Sequence, residues 1–161
     1  MKPHDPRSAP AGARPTAAAR QHAGYSPTVA SKLVGVNYNT ILYWVRTGLV
    51  RASVRYESKQ WTPVLFSFDD LLELKFIQSL RDKGAPTRRI RRALNFLRRT
   101  LKSHSLTDLY LDVTSDDIQV YVDPEKIMSA VKNQGQMLLI NVARLKSEIE
   151  ERAQKQKIRI A

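Results

Sequence analysis

The sequence contains no cysteine, and its three histidines, His4, His22 and His104, lie far apart. Disulfide bonds and thiolate metal sites are therefore excluded, and the histidines do not form a ligand cluster, so we expect no metal and no cofactor. No apolar run reaches the roughly 18 residues that a membrane helix requires. Residues 1–24 also lack the apolar core of a secretory signal, so we expect a cytoplasmic protein that does not enter a membrane.

Positive charge is concentrated in the middle of the chain. The formal net charge is +12, to which residues 1–24 contribute +3, residues 25–103 contribute +10 and residues 104–161 contribute −1. Residues 1–24 predict a disordered basic tail, because they contain almost no large apolar side chain. A basic domain beside a nearly neutral one indicates that residues 25–103 bind a polyanion and that residues 104–161 have a different role.

The segment after residue 24 predicts two short helices joined by a tight turn. Ser26 is a good N-cap, and Pro27 suits the first position of a helix. Gly35 supplies the turn, and Asn37 caps a second helix over about 38–47. The predicted buried stripe of this helix is Ile41, Trp44 and Val45, and its predicted exposed face is Asn39, Leu42, Tyr43 and Arg46.

Residues 50–66 change character and predict a β-hairpin, with β-branched and aromatic residues on both sides of a polar centre at 56–60. Ser67 and Asp70 then resemble a capping box, which starts a helix that runs to about Lys83. Thr87 is the expected N-cap of the next helix, which ends near Ser103. The apolar residues of both helices follow helical spacing, so each helix buries one face.

Residues 104–161 predict a small ββαβα module, so the fold class is α+β. Strands over 109–113 and 118–122 form a hairpin, and a short helix over 125–132 follows. A strand over 136–141 then leads into a last helix over about 142–155. Four residues of this last helix form a narrow apolar seam, namely Val142, Leu145, Ile149 and Ala153.

Three stretches resemble the DNA-binding domain of the MerR family. They are YSPTVASKLVGV from Tyr25, the second helix NYNTILYWVRTGLV, and FSFDDLLELKFIQSLRDKGAPTRRIRRAL, and the resemblance extends from Tyr25 to Leu94, about 70 of the 161 residues. The resemblance implies a winged helix-turn-helix domain in a sequence-specific transcription regulator of double-stranded DNA. It implies that helix 38–47 enters the major groove and that the wing, about 50–66, follows the DNA backbone.

The exposed chemistry of these elements suits DNA. Asn39 and Arg46 can bond base edges or phosphates, and Leu42 can contact a thymine methyl group. Many family members carry arginine at the position of Leu42 and glutamate at that of Val45, so their contacts are not copied here. Packing at the core edge is the alternative for the two tyrosines, and a solvated helix face is the alternative for the α-helical arginines. The predicted DNA-binding residues are Thr28, Tyr38, Asn39, Leu42, Tyr43, Arg46, Arg51, Arg55, Lys59, Arg88 and Arg89.

The role of residues 104–161 is open between two hypotheses. Palindromic operators require a dimer, and we expect a homodimer through the apolar seam of the last helix or the β-strands. The layout, with RRIRRALNFLRRTL and Gly135-Gln136, also resembles MerR-like antitoxins, which implies that the chain represses its own operon and holds a toxin through this module. An enzyme is a third class, but no catalytic residues are predicted, because the clustered carboxylates stand at a helix start.

Overall fold

The computed structural model describes residues 24–54, 64–101, 110–113, 119–121 and 139–160. These residues form five α-helices and three β-strands, which confirms the predicted α+β class. The helices are α1 (Pro27–Val34), α2 (Tyr38–Arg46), α3 (Phe68–Asp82), α4 (Thr87–Leu101) and α5 (Val142–Lys155), and the strands are β1 (Tyr110–Asp112), β2 (Gln119–Tyr121) and β3 (Leu139–Asn141).

The first two helices and their turn form as predicted. The Ser26 hydroxyl accepts a hydrogen bond from the Val29 amide at 3.3 Å, and the Asn37 side chain accepts one from the Asn39 amide at 2.9 Å. Between them Gly35 has φ 79°, a left-handed conformation that glycine adopts without steric cost. These three local features fix where α1 ends and α2 begins.

Helix α3 is the centre of the fold and packs against α1, α4, α5 and β3. Residues 71–77 are all buried, and this group includes the charged Glu73 and Lys75. The predicted capping box is present: the Ser67 hydroxyl accepts from the Asp70 amide at 3.1 Å, and Asp70 Oδ2 accepts from the Ser67 amide at 2.8 Å. The start of α3 is therefore set by its own sequence.

Helix α4 differs from the prediction at its first residue. Thr87 is the first helical residue rather than the N-cap, and the carbonyl of Pro86 accepts the first helical hydrogen bond, from the Ile90 amide at 3.1 Å. The expected cap at Thr87 was wrong, because the carbonyl of Pro86 already takes the accepting role of the N-cap one residue earlier. Four apolar residues of α4 at helical spacing are buried, namely Ile90, Ala93, Leu94 and Leu97.

The three strands form an antiparallel sheet in the order β2-β1-β3. Leu111 of β1 lies opposite Val120 of β2 and Ile140 of β3, so the predicted hairpin of β1 and β2 is present. Strand β3 continues directly into α5, where the Asn141 side chain accepts from the Arg144 amide at 2.9 Å and caps the helix. The sheet is thus joined to α5 without a connecting loop.

The apolar seam of α5 is buried inside the chain. Its four residues, Val142, Leu145, Ile149 and Ala153, are at most 5% exposed, and α5 packs against α1 and α3. The expectation that this seam is an exposed dimerisation or partner face was wrong, because an apolar stripe shows that a helix face is covered but not by what. One hydrophobic core contains residues from both sides of residue 103, and the domain boundary there stays a prediction.

Several predicted features lie outside the described residues. They are the basic tail up to residue 23, residues 55–63 of the wing, the turn 114–117 and the short helix 125–132. Within the ranges given above, no helix combines the length and the apolar character needed to cross a membrane. The same ranges contain no group of three or more His, Asp or Glu residues that could hold a metal ion.

Candidate nucleic-acid interface

One face of α2 is exposed and carries polar and aromatic side chains. Asn39 and Arg46 are exposed, Leu42 is half-buried, and Tyr43 and Tyr38 are 56% and 44% exposed. The first four of these side chains follow helical spacing and therefore share one face. Together they offer hydrogen-bond donors and acceptors, a cation and an apolar contact, which are the groups that bind base edges and phosphates in the major groove.

The opposite face of α2 anchors the helix in the core. Ile41 and Trp44 are 0% and 2% exposed, as predicted, whereas Val45 is only half-buried. The guanidinium carbon of Arg81, on α3, lies 5.8 Å from the centre of the Trp44 ring, within the range of a cation–π interaction. The exposed face of α2 is thus presented on a rigid support, which precise recognition requires.

Helix α4 adds positive charge beside the end of α2. Residues 24–54 contain three basic residues and no acidic residue, and α4 contains six arginines and no acidic residue. Arg91 Nη2 donates a hydrogen bond to the carbonyl of Thr47, directly after α2, at 3.4 Å. Arg88 is exposed and Arg89 is half-buried in the preceding turn. Because no acidic side chain belongs to either segment, α2 and the start of α4 provide a basic surface suited to phosphates.

Arg98, near the end of α4, has a structural role instead. Its Nε and Nη2 atoms donate to the two carboxylate oxygens of Glu73, both at 2.7 Å, and Nη2 also donates to the carbonyl of Leu49 at 3.2 Å. The pKa of Arg98 lies above its usual value, chiefly because of the hydrogen bond to Glu73; burial opposes this increase, and attraction to Glu73 and Asp70 adds to it. Arg98 therefore ties α4 to α3 and to the segment that follows α2.

The base of the predicted wing is fixed to the start of α3. The amide and hydroxyl of Ser53 both donate to Asp70 Oδ2, at 2.8 and 2.7 Å. Val54 and Leu65 then form an antiparallel bridge, with a hydrogen bond of 3.2 Å from the Val54 amide. This pairing places the two ends of the predicted wing side by side, and the wing itself stays a prediction. Arg51 is exposed next to this base.

The structure describes nine of the eleven predicted DNA-binding residues. Thr28, in the first turn of α1, is exposed like Arg51 and Arg88. Arg55 and Lys59 lie outside the described residues. Eight of the nine lie in α1, α2 or α4, and the ninth, Arg51, lies in the segment after α2. All nine keep solvent contact, and their contacts with DNA stay predictions.

Sequence reasoning missed three features. They are the contact of Arg91 with the segment after α2, the second role of Asp70 as hydrogen-bond acceptor for the base of the wing, and the inward orientation of Arg98. The position of Arg91, one helical turn after Arg88, could have indicated it. The signal for Arg98 was the run LLELKFI in α3, because a carboxylate such as Glu73 inside a buried helix needs a cationic partner. What the sequence did not show was which of the six arginines of α4 would supply it.

Comparison with known proteins agrees with this geometry. Residues 25–97 match the family described as "MerR HTH family regulatory protein". Two proteins named as uncharacterized HTH-type transcriptional regulators, from Mycobacterium tuberculosis (strain ATCC 25618 / H37Rv) and Mycobacterium bovis, are each 37% identical over 75 residues. The aligned part is 47% of this chain and 33% of each relative, so the chain spans about a third of the length of these curated relatives. The matched range contains α1 to α3, most of α4 and the paired base of the wing, and this part of the chain is therefore similar to the helix-turn-helix domain of that family.

Proposed function

We propose that this protein is a transcription regulator that binds duplex DNA sequence-specifically, with α2 in the major groove and the segment 50–66 along the backbone. One observation carries the proposal: α2 exposes Asn39, Tyr43 and Arg46 on one face while Ile41 and Trp44 lock its other face into the core. The names of the relatives, HTH-type transcriptional regulators, support the same function.

The side chains divide into two groups by their chemistry. Asn39 and Arg46, on the central face of α2, are assigned to base edges. Tyr43 and the exposed arginines beside α2, including Arg51, Arg88 and Arg91, are assigned to phosphates. The first turn of α1, at Thr28, adds backbone N–H groups that favour an anion. Specificity then comes from α2, and much of the affinity comes from charge.

A palindromic operator would be bound by a homodimer, and the seam of α5 is not available as its interface. The antitoxin hypothesis assigned residues 104–161 as a whole to a toxin; the buried seam of α5 offers no free surface for one, and the family match and the names of the relatives give the hypothesis no support. The family and the names of the relatives point to regulation rather than to catalysis.

Selection of bound sequences from a random duplex DNA pool, with the full chain at physiological salt, tests the proposal. We expect one enriched motif. Failure to enrich any motif in repeated rounds would contradict sequence-specific binding and leave only general attraction between a basic protein and DNA.

Arg46→Ala tests the assignment of α2. We expect a loss of about 1–3 kcal/mol in binding free energy on the selected duplex and a relaxed preference at one base position, because a bidentate contact to a base edge is lost. Lys146→Ala, on α5, removes the same charge away from α2 and is the control. Equal weakening by both variants on all duplexes would show that Arg46 contributes only charge.

A further inference from the structure

The carboxyl end of α1 is held by side chains from two other helices. Gln78 of α3 donates to the carbonyl of Gly35 at 3.2 Å, and Gln156, at the end of α5, donates to the carbonyl of Lys32 at 3.4 Å. Lys75 Nζ of α3 donates to the carbonyl of Val34 at 3.3 Å. The last carbonyls of a helix have no partner inside the helix, so these contacts satisfy carbonyls at the end of α1.

Lys75 connects this helix end to α5. Its side chain is 10% exposed, and its Nζ lies 3.1 Å from Glu148 Oε2 and 3.2 Å from the side-chain oxygen of Gln78. A nearly buried ammonium group is costly unless an opposite charge and hydrogen bonds compensate it. Glu148 supplies the opposite charge, while its other oxygen accepts from Arg144 Nε at 3.2 Å. The position of α5 is therefore coupled to the position of Lys75.

The end of α1 is also the start of the turn that places α2. Gly35 and Val36 lead to Asn37, the N-cap of α2, and the Ser31 hydroxyl donates to the Val36 carbonyl at 2.6 Å. Arg152 of α5 lies over the same turn, since a Cβ atom on Gly35 would be 2.8 Å from its guanidinium group. Arg152 of α5 thus lies against the turn between α1 and α2, and Glu148 is linked to the end of α1 through Lys75.

We propose that Glu148 is a positioning residue for DNA recognition, and that docking of α5 is part of the DNA-competent state of the domain. Glu148 acts through Lys75 and the Val34 carbonyl on the turn before α2, and it contacts no DNA itself. This inference rests on the proposed function. It assigns to α5 a role within the helix-turn-helix unit rather than in a separate module.

Charge alone predicts the opposite effect of a substitution at this position. Removing an acidic residue raises the net charge, so simple attraction would bind DNA more tightly. Positioning predicts weaker binding after Glu148→Gln, because Lys75 loses its counter-charge and the turn is no longer held. Glu151→Gln is the matched control, because it removes the same charge one turn later on α5, and Glu151 has no ion-pair partner among the residues that the structure describes.

The experiment compares the full-length protein with both variants on the selected duplex and on a scrambled duplex, well below the thermal unfolding midpoint. We expect Glu148→Gln to bind the selected duplex at least about five-fold more weakly, a typical size for coupling between sites, with little change on the scrambled duplex. Glu151→Gln should bind both as tightly as the wild type or slightly more tightly. Glu148→Asp, which keeps the charge, should restore part of the lost affinity.

Equal affinities of the two glutamine variants would overturn the inference. Equal weakening on both duplexes, together with a lower unfolding midpoint, would also overturn it, because that result describes a merely structural residue. If the wild type itself does not distinguish the two duplexes, the proposed function fails before the inference is reached.

A second measurement needs no variant. Because coupling is reciprocal, the selected duplex should slow amide hydrogen exchange in residues 145–155 of the wild type, although α5 is not expected to contact DNA. Unchanged exchange in α5, measured beside slower exchange in α2, would contradict the inference.

Discussion

Asp70 shows how one carboxylate oxygen can fix two elements at once. Its Oδ2 accepts from the Ser67 amide, as a capping box requires, and also from the amide and hydroxyl of Ser53. The residue is 6% exposed, so these hydrogen bonds are not easily replaced by water. The same side chain thus starts α3 and holds the base of the predicted wing.

Asp70→Ala should lower the free energy of unfolding by about 1–3 kcal/mol, because a helix cap and the hydrogen bonds to Ser53 are lost together. Urea unfolding measures this loss. The exposed neighbour Asp69 stands in the same first turn, and Asp69→Ala should cost at most about 1 kcal/mol, the value of a carboxylate near a helix N-terminus. Equal losses would show that the contacts to Ser53 contribute nothing.

Arg98 and Arg99 are neighbours in one run of basic residues, but we expect them to contribute differently to stability. Arg98→Ala should lower the free energy of unfolding by about 1.5–3 kcal/mol, because Glu73 keeps its burial and loses two charge-assisted hydrogen bonds. Arg99 is exposed, and Arg99→Ala should change stability by no more than about 0.5 kcal/mol. Chemical denaturation of both variants distinguishes them, and similar losses would contradict the assigned role of Arg98.

At the scale of the element, the apolar seam of α5 is packed inside the chain. Ile149 is 0% exposed and belongs to the core shared with α1 and α3. Ile149→Ala should therefore cost about 2–5 kcal/mol in a denaturant titration, as for a buried aliphatic residue in a closely packed core.

Ser147, exposed on the same helix, is the control for this prediction. Ser147→Ala should remain within about 0.5 kcal/mol of the wild type. A loss at Ile149 as small as that at Ser147 would mean that the seam is not packed inside the chain, and it would restore the hypothesis of an exposed partner-binding face.

The starts of α1, α2 and α3 were predictable because their signals are local. Each of these helices has its first amide groups satisfied by a residue close in the sequence. This residue is Ser26 for α1, which begins at Pro27, Asn37 for α2, and Ser67 with Asp70 for α3. The same is true of the exposed face of α2, which depends only on helical spacing. The contacts of α5 were not predictable, because the sequence gives the width of an apolar stripe and not the element that lies against it.

The partners of the charged residues on α3 were likewise not predictable from the sequence. The run LLELKFI indicates that Glu73 and Lys75 need partners, but those partners are 25 and 73 residues away, at Arg98 and Glu148. Sequence spacing carries no signal over such distances. The exposed face of α2 could therefore be predicted from the sequence, while the ion pairs of Glu73 and Lys75 required the structure.

At the scale of the whole molecule, charge is separated by element. Among the described residues up to residue 101, every acidic residue lies on α3. Two of them, Asp70 and Glu73, take part in internal contacts. Helices α1, α2 and α4 carry no acidic residue. The exposed surface of these three helices is thus basic, and DNA binding through it should depend strongly on salt.

The most direct test of DNA binding by α2 and the start of α4 is the salt dependence of binding to the selected duplex, measured by fluorescence anisotropy for the wild type and Arg88→Gln. We expect the logarithm of the association constant to fall linearly with the logarithm of salt concentration, by about 0.9 for each phosphate contact. We also expect Arg88→Gln to reduce this slope by about one. A nearly flat salt dependence, or a slope that Arg88→Gln leaves unchanged together with equal binding of a scrambled duplex, would contradict the proposal that α2 and the basic start of α4 bind DNA.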